Sequence, residues 1–136
     1  MNKITIASAM ILNTKNEILL VRKKGSSYFQ LPGGKVNDNE KHFETLKREL
    51  LEEIQLDVEK TKCIFLGSHE TEAVNEKNTR VYGNLFEVID TNLDNIQIQN
   101  EIEEMAWINQ SNYKNYKWAH LAKEFILPIW LKKQTK

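Results

Sequence analysis

Three glutamates, Glu49, Glu52 and Glu53, stand at i, i+3 and i+4, a spacing that a 3.6-residue period gathers on one helix patch. Carboxylates crowded in this way repel by about 0.2–0.5 kcal/mol per pair, and a divalent cation offsets that cost. Three or four hard oxygen donors, with water in the remaining positions, suit Mg²⁺ or Mn²⁺. No Cys or His sits here at ligand spacing, which disfavours zinc. Arg48, one of three arginines in the chain, precedes the first acid. Its planar fork can hold a carboxylate through two donors, orienting an acid without occupying the metal. Upstream, Pro32-Gly33-Gly34 supplies bare backbone. A glycine carbonyl can approach a cation there, and a glycine amide can approach a phosphate, where a side chain would obstruct both. Taken alone, the three glutamates also fit a solvated acidic face paired with Lys47 and Arg48.

These groups need elements to position them. Phe43, Leu46, Leu50 and Ile54 recur at spacings of three and four, which predicts a helix over 42–55 with one buried stripe. The acidic patch lies roughly a third of a turn from that stripe, so the helix is expected to sit in the core and offer its carboxylates outward. Asp38 or Asn39 is expected to help begin it. Residues 3–12 and 18–22 are β-rich runs around Asn13-Thr14-Lys15-Asn16, which predicts a hairpin. Lys23 to Ser27 reads as a loop, and Tyr28 to Leu31 as a short strand ended by a sharp bend at Pro32-Gly33-Gly34. Segments 61–72 and 79–89 predict a long hairpin across the polar Ala73–Asn78 stretch. Asp90 to Asn95 reads as a polar loop, Met105 to Ile108 as a last short strand, and Ser111 to about Lys133 as two helical pieces, the second kinked or limited by Pro128.

The composition is compatible with one mixed α and β domain over 1–136. The chain of 136 residues carries 19 Lys+Arg against 19 Asp+Glu, with 40% hydrophobic residues. That length and apolar share can bury a core. The balanced charge argues against a dedicated DNA binder. A single cysteine, Cys63, cannot form an intrachain disulfide, and within its apolar run it reads as a small core residue. Ala7-Ser8-Ala9 imitates a signal-peptide cleavage site, but a cut there leaves only Ile4-Thr5-Ile6 as apolar region, short of the roughly 7–15 residues required. No run reaches membrane-span length. The expectation is a soluble cytoplasmic protein.

Gly34, five residues, Glu40, seven residues, then Arg48-Glu49-Leu50-Leu51-Glu52-Glu53-Ile54-Gln55-Leu56 resembles the Nudix box. Eight of its nine defined positions match; the exception is Gln55, where the pattern has a glycine that ends the helix in a left-handed conformation. The leading hairpin, the run Phe29-Gln30-Leu31-Pro32-Gly33-Gly34-Lys35 and the Glu101…Trp107 spacing are also similar to the family. The resemblance implies a Nudix fold, an α+β architecture built as an α/β/α sandwich around a mixed sheet. It implies divalent-metal-dependent hydrolysis of a nucleoside diphosphate linked to another moiety. By position, Glu49, Glu52 and Glu53 would be metal ligands, joined by a carbonyl of Gly33 or Gly34. Arg48 would orient the acids and Glu40 would make an outer contact. Glu53 and Glu101 are both candidates for the general base, Glu101 also for a ligand.

Arg22, Lys23, Lys24, Lys35 and the Gly34 amide are candidates to touch phosphate, and Tyr28 or Phe29 to stack on a base. Against this, exposed lysines are usually solvated, and Glu101, Glu103 and Glu104 also read as a charge run. His42, His69 and His120 share no metal spacing and receive no role. Trp107, Trp118 and Trp130 read as packing residues, and Lys132, Lys133 and Lys136 as a solvated terminus. The small MutT-like members suggest a nucleoside triphosphate, including oxidised or non-standard forms, cleaved to monophosphate and pyrophosphate. The alternatives are a nucleotide sugar, a dinucleoside polyphosphate, ADP-ribose, an RNA 5′ end, or a nucleotide sensor without turnover. Family members often pair, which leaves a homodimer open.

Overall fold

The computed structural model describes residues 2–89 and 93–134. Asp90, Thr91 and Asn92 of the expected 90–95 loop, and Lys136 of the terminal cluster, lie outside the described residues. The elements follow in order: β1 (Asn2–Ile11), β2 (Ile18–Lys23), β3 (Gly33–Lys35), α1 (His42–Ile54), β4 (Lys62–Glu72), β5 (Thr79–Ile89), β6 (Ile102–Ile108) and α2 (Leu127–Gln134). A four-stranded sheet runs β3-β1-β5-β4, and β2 pairs with β6 separately. The larger sheet is mixed: β1 is parallel to β5 and antiparallel to β3, and β4 is antiparallel to β5.

The strands divide their side chains between two cores with the period of two that a pleated backbone imposes. Ala7, Ala9 and Ile11 of β1, with Leu19 and Val21 of β2, face Leu46, Leu50 and Ile54 of α1. Met10, Ile18, Leu20 and Leu85 face the other way, onto Leu121, Ile126 and Trp130. Strands covered on both faces read as continuous apolar runs rather than alternating ones. The layering is thus the expected sandwich, with α1 and the C-terminal helical segment outermost.

Several local expectations need correction. The turn at Asn13–Asn16 forms, with Asn16 N–H donating to the Asn13 carbonyl at 3.0 Å, but the flanking strands share only the Leu12–Ile18 bridge. Both edges of β1 are taken, by β3 and β5, so β2 leaves for the other sheet. Tyr28–Leu31 is not a strand; Phe29 and Gln30 make isolated bridges to Trp118 and Val21. The strand starts two residues beyond Leu31, at Gly33, through the glycines themselves. Gly33 has φ +150°, and a Cβ on it would stand 2.2 Å from the Ala7 carbonyl oxygen, so this approach to β1 excludes any side chain.

The last strand begins at Ile102, earlier than Met105, and the C-terminal segment carries a π-helical turn, Ala122–Ile126, before α2. Pro128 sits just after that turn. It has no N–H to give an upstream carbonyl, and the widened turn lets Leu127 N–H reach the Ala122 carbonyl instead. No helix among the described residues is long and apolar enough to cross a membrane.

Candidate active site

α1 begins with Lys41 N–H donating to the Glu44 carboxylate at 2.9 Å; neither Asp38 nor Asn39 is its cap. Asn39 takes φ 65° in the preceding turn, which aims Glu40 back along the helix. The Glu40 carboxylate accepts from Thr45 Oγ1 at 2.6 Å, from Arg48 Nε at 2.9 Å and from Arg48 Nη2 at 3.0 Å. This two-point guanidinium contact, with the Thr45 hydroxyl and the Asn37 amide, lowers the Glu40 pKa to about 2. The same guanidinium donates to Glu49 and to the Lys35 carbonyl, the latter at 3.0 Å. Arg48 therefore ties the β3–α1 loop to the acidic face.

The three acids do not all face outward. Glu52 does, its side chain half exposed and 3.9 Å from Arg48 Nη1. Glu49 lies over Gly34 so closely that a Cβ there would stand 2.2 Å from its carboxyl carbon. Glu53 turns inward, is only 6% exposed, and accepts the Gly33 N–H at 3.1 Å. Burial raises its pKa to about 7; the Gly33 N–H and the charge of Lys23 oppose that rise, and the charges of Glu49 and Glu101 add to it. Glu53, Glu49, Glu101 and Lys23 thus share one electrostatic neighbourhood, although the chain brings them from three separate elements.

Among the described residues no three His, Cys, Asp or Glu side chains converge closely enough to hold a metal as they stand. The donors nonetheless fit Mg²⁺ or Mn²⁺ in kind: all are hard oxygens, and Glu53 is held at a cost in burial and repulsion that a nearby dication would relieve.

Beside these groups lies a cavity of about 410 Å³, within the range of small-molecule sites. Lys23, Lys24, Lys35 and His120 line it beside Gly33 and Gly34, with Ile4, Ile6, Val81 and Leu121 as apolar wall; Lys35 Nζ stands 4.0 Å from Glu76, which also lines it. Two expected substrate contacts are elsewhere. The Arg22 guanidinium is committed to Glu104 at 3.1 Å and to the Ser26 carbonyl at 3.0 Å. The Phe29 ring is buried in the second core, edge-on to Tyr116 at 4.9 Å. Gln30 and Leu31, the next two residues, are on the cavity wall instead.

Sequence reasoning missed Ser8, Gln30 and His120 on that wall. Ser8 left a trace, as a polar residue inside the apolar run Ile6–Ile11, and it is 3% exposed. His120 left none, since it is brought in by packing of the C-terminal segment. His69, by contrast, pairs with Glu124 at 2.8 Å.

Comparison with known proteins bears on the family and the fold. An RNA pyrophosphohydrolase of Pasteurella multocida is 33% identical over 60 residues, covering 44% of this chain and 30% of that protein. An 8-oxo-dGTP diphosphatase of Proteus vulgaris is 37% identical over 70 residues, covering 48% of this chain and 61% of that protein. The matched stretch is thus less than two thirds of either relative. The crystal structure of a MutT protein from Methanosarcina mazei Go1 superposes with a TM-score of 0.78 at 23% identity, covering 99% of this chain and 97% of that one. The dihydroneopterin triphosphate pyrophosphohydrolase of E. coli gives 0.79 at 16% identity, covering 97% and 99%. At such identities these superpositions speak for the fold. The NUDIX domain family matches residues 2–127, which include every group described above, and the chain belongs to that family.

Proposed function

We propose that the protein is a metal-dependent pyrophosphohydrolase acting on a nucleoside triphosphate, oxidised or otherwise non-standard forms included, and releasing the monophosphate and pyrophosphate. The observation that carries this reading is the buried Glu53 carboxylate on the Gly33 N–H, with Glu49 and Arg48 beside it and a lysine-edged cavity alongside. The names of the two curated relatives support it. Glu49, Glu52 and Glu53, with Glu101 and the Gly33 backbone, would hold Mg²⁺ or Mn²⁺. The ion supplies charge neutralisation of the phosphate oxygens and acidification of the attacking water.

The remaining work falls to this chain. Lys23 and Lys35 bind the phosphates electrostatically from the cavity mouth, and Gly34, lacking a side chain, lets them approach the backbone. Arg48 holds Glu49 in place and is itself held by Glu40, so the acid keeps its orientation while charge shifts in front of it. Glu53 or Glu101 receives the proton of the attacking water. The apolar wall of Ile4, Ile6, Val81 and Leu121 excludes water from the nucleoside.

A second substrate, the 5′-triphosphate end of an RNA, is favoured by the similarity to the Pasteurella protein. One experiment separates these readings: nucleoside triphosphates, their 8-oxo forms and 5′-triphosphorylated RNA are incubated with the protein and Mg²⁺, and products are identified by chromatography. Monophosphate plus pyrophosphate from free nucleotides, lost on chelation, is the expected result. Cleavage confined to RNA selects the second reading. No anhydride cleavage with any of them, with nucleotide binding retained, would make the protein a sensor.

A further inference from the structure

The segment before β6 carries Glu101, and its described part, residues 93–101, is strapped to the helix that carries the acids. Leu93, Ile96 and Ile98 pack against the first core, while the intervening polar residues meet the C-terminal end of α1. A helix leaves its last four carbonyls without intrahelical partners. Here Gln97 N–H donates to the Ile54 carbonyl at 3.1 Å, and Gln99 N–H donates to that of Glu53 at 2.9 Å. Asn100 Nδ2 donates to the Glu52 carbonyl at 2.9 Å. Glu101 follows directly, and its own carbonyl accepts Lys24 N–H at 2.9 Å. The residue is pinned from both sides.

One contact in this strap is a choice of side chain rather than backbone. Gln55, at the helix exit, has φ 61° and ψ 32°, a left-handed conformation that strains a non-glycine residue. Glycine, which the box pattern has there, would meet the same backbone demand without strain. Glycine would lack the carboxamide whose Oε1 accepts from Gln99 Nε2. We propose that Gln55 is a positioning residue: its side chain latches Gln99, and with it the 97–101 segment, to the end of α1, fixing Glu101 relative to Glu53. The proposal rests on the reading that Glu101 serves the reaction.

The test combines Gln55→Gly, Gln99→Ala and Glu101→Gln with the full chain, Mg²⁺ and the best nucleotide of the panel. The latch predicts that Gln55→Gly and Gln99→Ala each lower kcat roughly 10-fold, as loss of a supporting partner does, with KM unchanged. It also predicts faster hydrogen exchange at the Gln97 and Gln99 amides, and no further loss of kcat when Gln55→Gly is added to Glu101→Gln. Because glycine relieves the strained exit, Gln55→Gly should melt no lower than the parent, which separates a lost latch from unfolding. Unchanged exchange, unchanged kcat, or an equal loss in the Glu101→Gln background overturns the proposal. Faster exchange together with a Glu101→Gln variant of full activity also overturns it, and assigns the failure to the reading of Glu101 rather than to the contact.

Discussion

Glu49 and Gly34 occupy the same space from opposite sides: the carboxyl group rests where a Cβ on the second glycine of the Gly-Gly pair would be, 2.2 Å from the carboxyl carbon. This close approach brings an acid on a helix against the backbone of a strand. It is the physical reason the glycine and the glutamate belong together, fifteen positions apart in the chain.

Gly34→Ala should therefore act on catalysis through Glu49. The alanine methyl displaces the carboxylate, and kcat is expected to fall roughly 10–100-fold, the usual effect of disturbing a ligand's support. Forcing a methyl into a packed site also costs about 1–3 kcal/mol. Steady-state hydrolysis alongside thermal melting measures both. Full turnover in a folded Gly34→Ala protein would show that the Glu49 position over the glycine is dispensable.

The burial of Glu53 makes a prediction about pH. Its folded pKa, about 7, lies above the ordinary value of 4.5, so the native state holds the proton more tightly than the unfolded chain. The associated stability is complete below pH 4.5, is lost as pH rises to about 7, and stays lost above it. At 1.36 kcal/mol per pKa unit the difference is roughly 3 kcal/mol. In chelator, the protein should be more stable against urea at pH 5 than at pH 8. Glu53→Gln keeps an oxygen for the Gly33 N–H and should flatten this dependence, while lowering turnover by about 10²–10⁴. Mg²⁺ should raise the melting temperature of the parent at pH 8 but hardly that of Glu53→Gln.

Arg48 and Glu40 predict the opposite acid limb. Glu40 titrates near pH 2 in the folded chain because Arg48 holds it, so its contribution is present above pH 4.5 and is lost as pH falls toward 2. Arg48→Lys replaces a two-point fork by a single ammonium. The acid midpoint of unfolding should move to higher pH, and kcat/KM should drop roughly 10-fold as Glu49 loses its orienting partner. An acid unfolding curve that superposes on the parent's would remove Arg48 from this role.

Phe29 separates packing from base stacking. With its ring in the core against Tyr116, Phe29→Ala should cost about 3–5 kcal/mol of stability and leave KM for the nucleotide little changed. Gln30→Ala, one residue along on the cavity wall, should do the reverse. A rise in KM for Phe29→Ala at a temperature where the variant is folded would return the ring to the substrate.

Much of the site was legible because its parts lie within one helix and the turn before it. The 3.6-residue period puts Leu46, Leu50 and Ile54 in the core and Glu49 and Glu52 on the acidic face of α1, whereas Phe43, expected in the buried stripe, is exposed and Glu53, expected outward, is buried. Arg48 was readable for the same reason, since its partners Glu40 and Glu49 are near in sequence. Gln55 was readable only as a departure from a pattern; that it keeps the left-handed exit and uses its amide on Gln99 depends on a segment more than forty residues downstream.

Local periodicity and turn chemistry, then, carry the helix, its acids and the need for bare backbone at Gly33 and Gly34, because those are set by neighbours a few bonds away. Pairing across long separations carries the rest. The parallel contact of β1 with β5, the departure of β2 to another sheet, the inward turn of Glu53, and the meeting of His120 with Lys23 and Lys35 across one cavity all depend on which edges and faces remain to be covered once the chain collapses. No short stretch of residues encodes that competition, because its outcome belongs to the whole packed molecule.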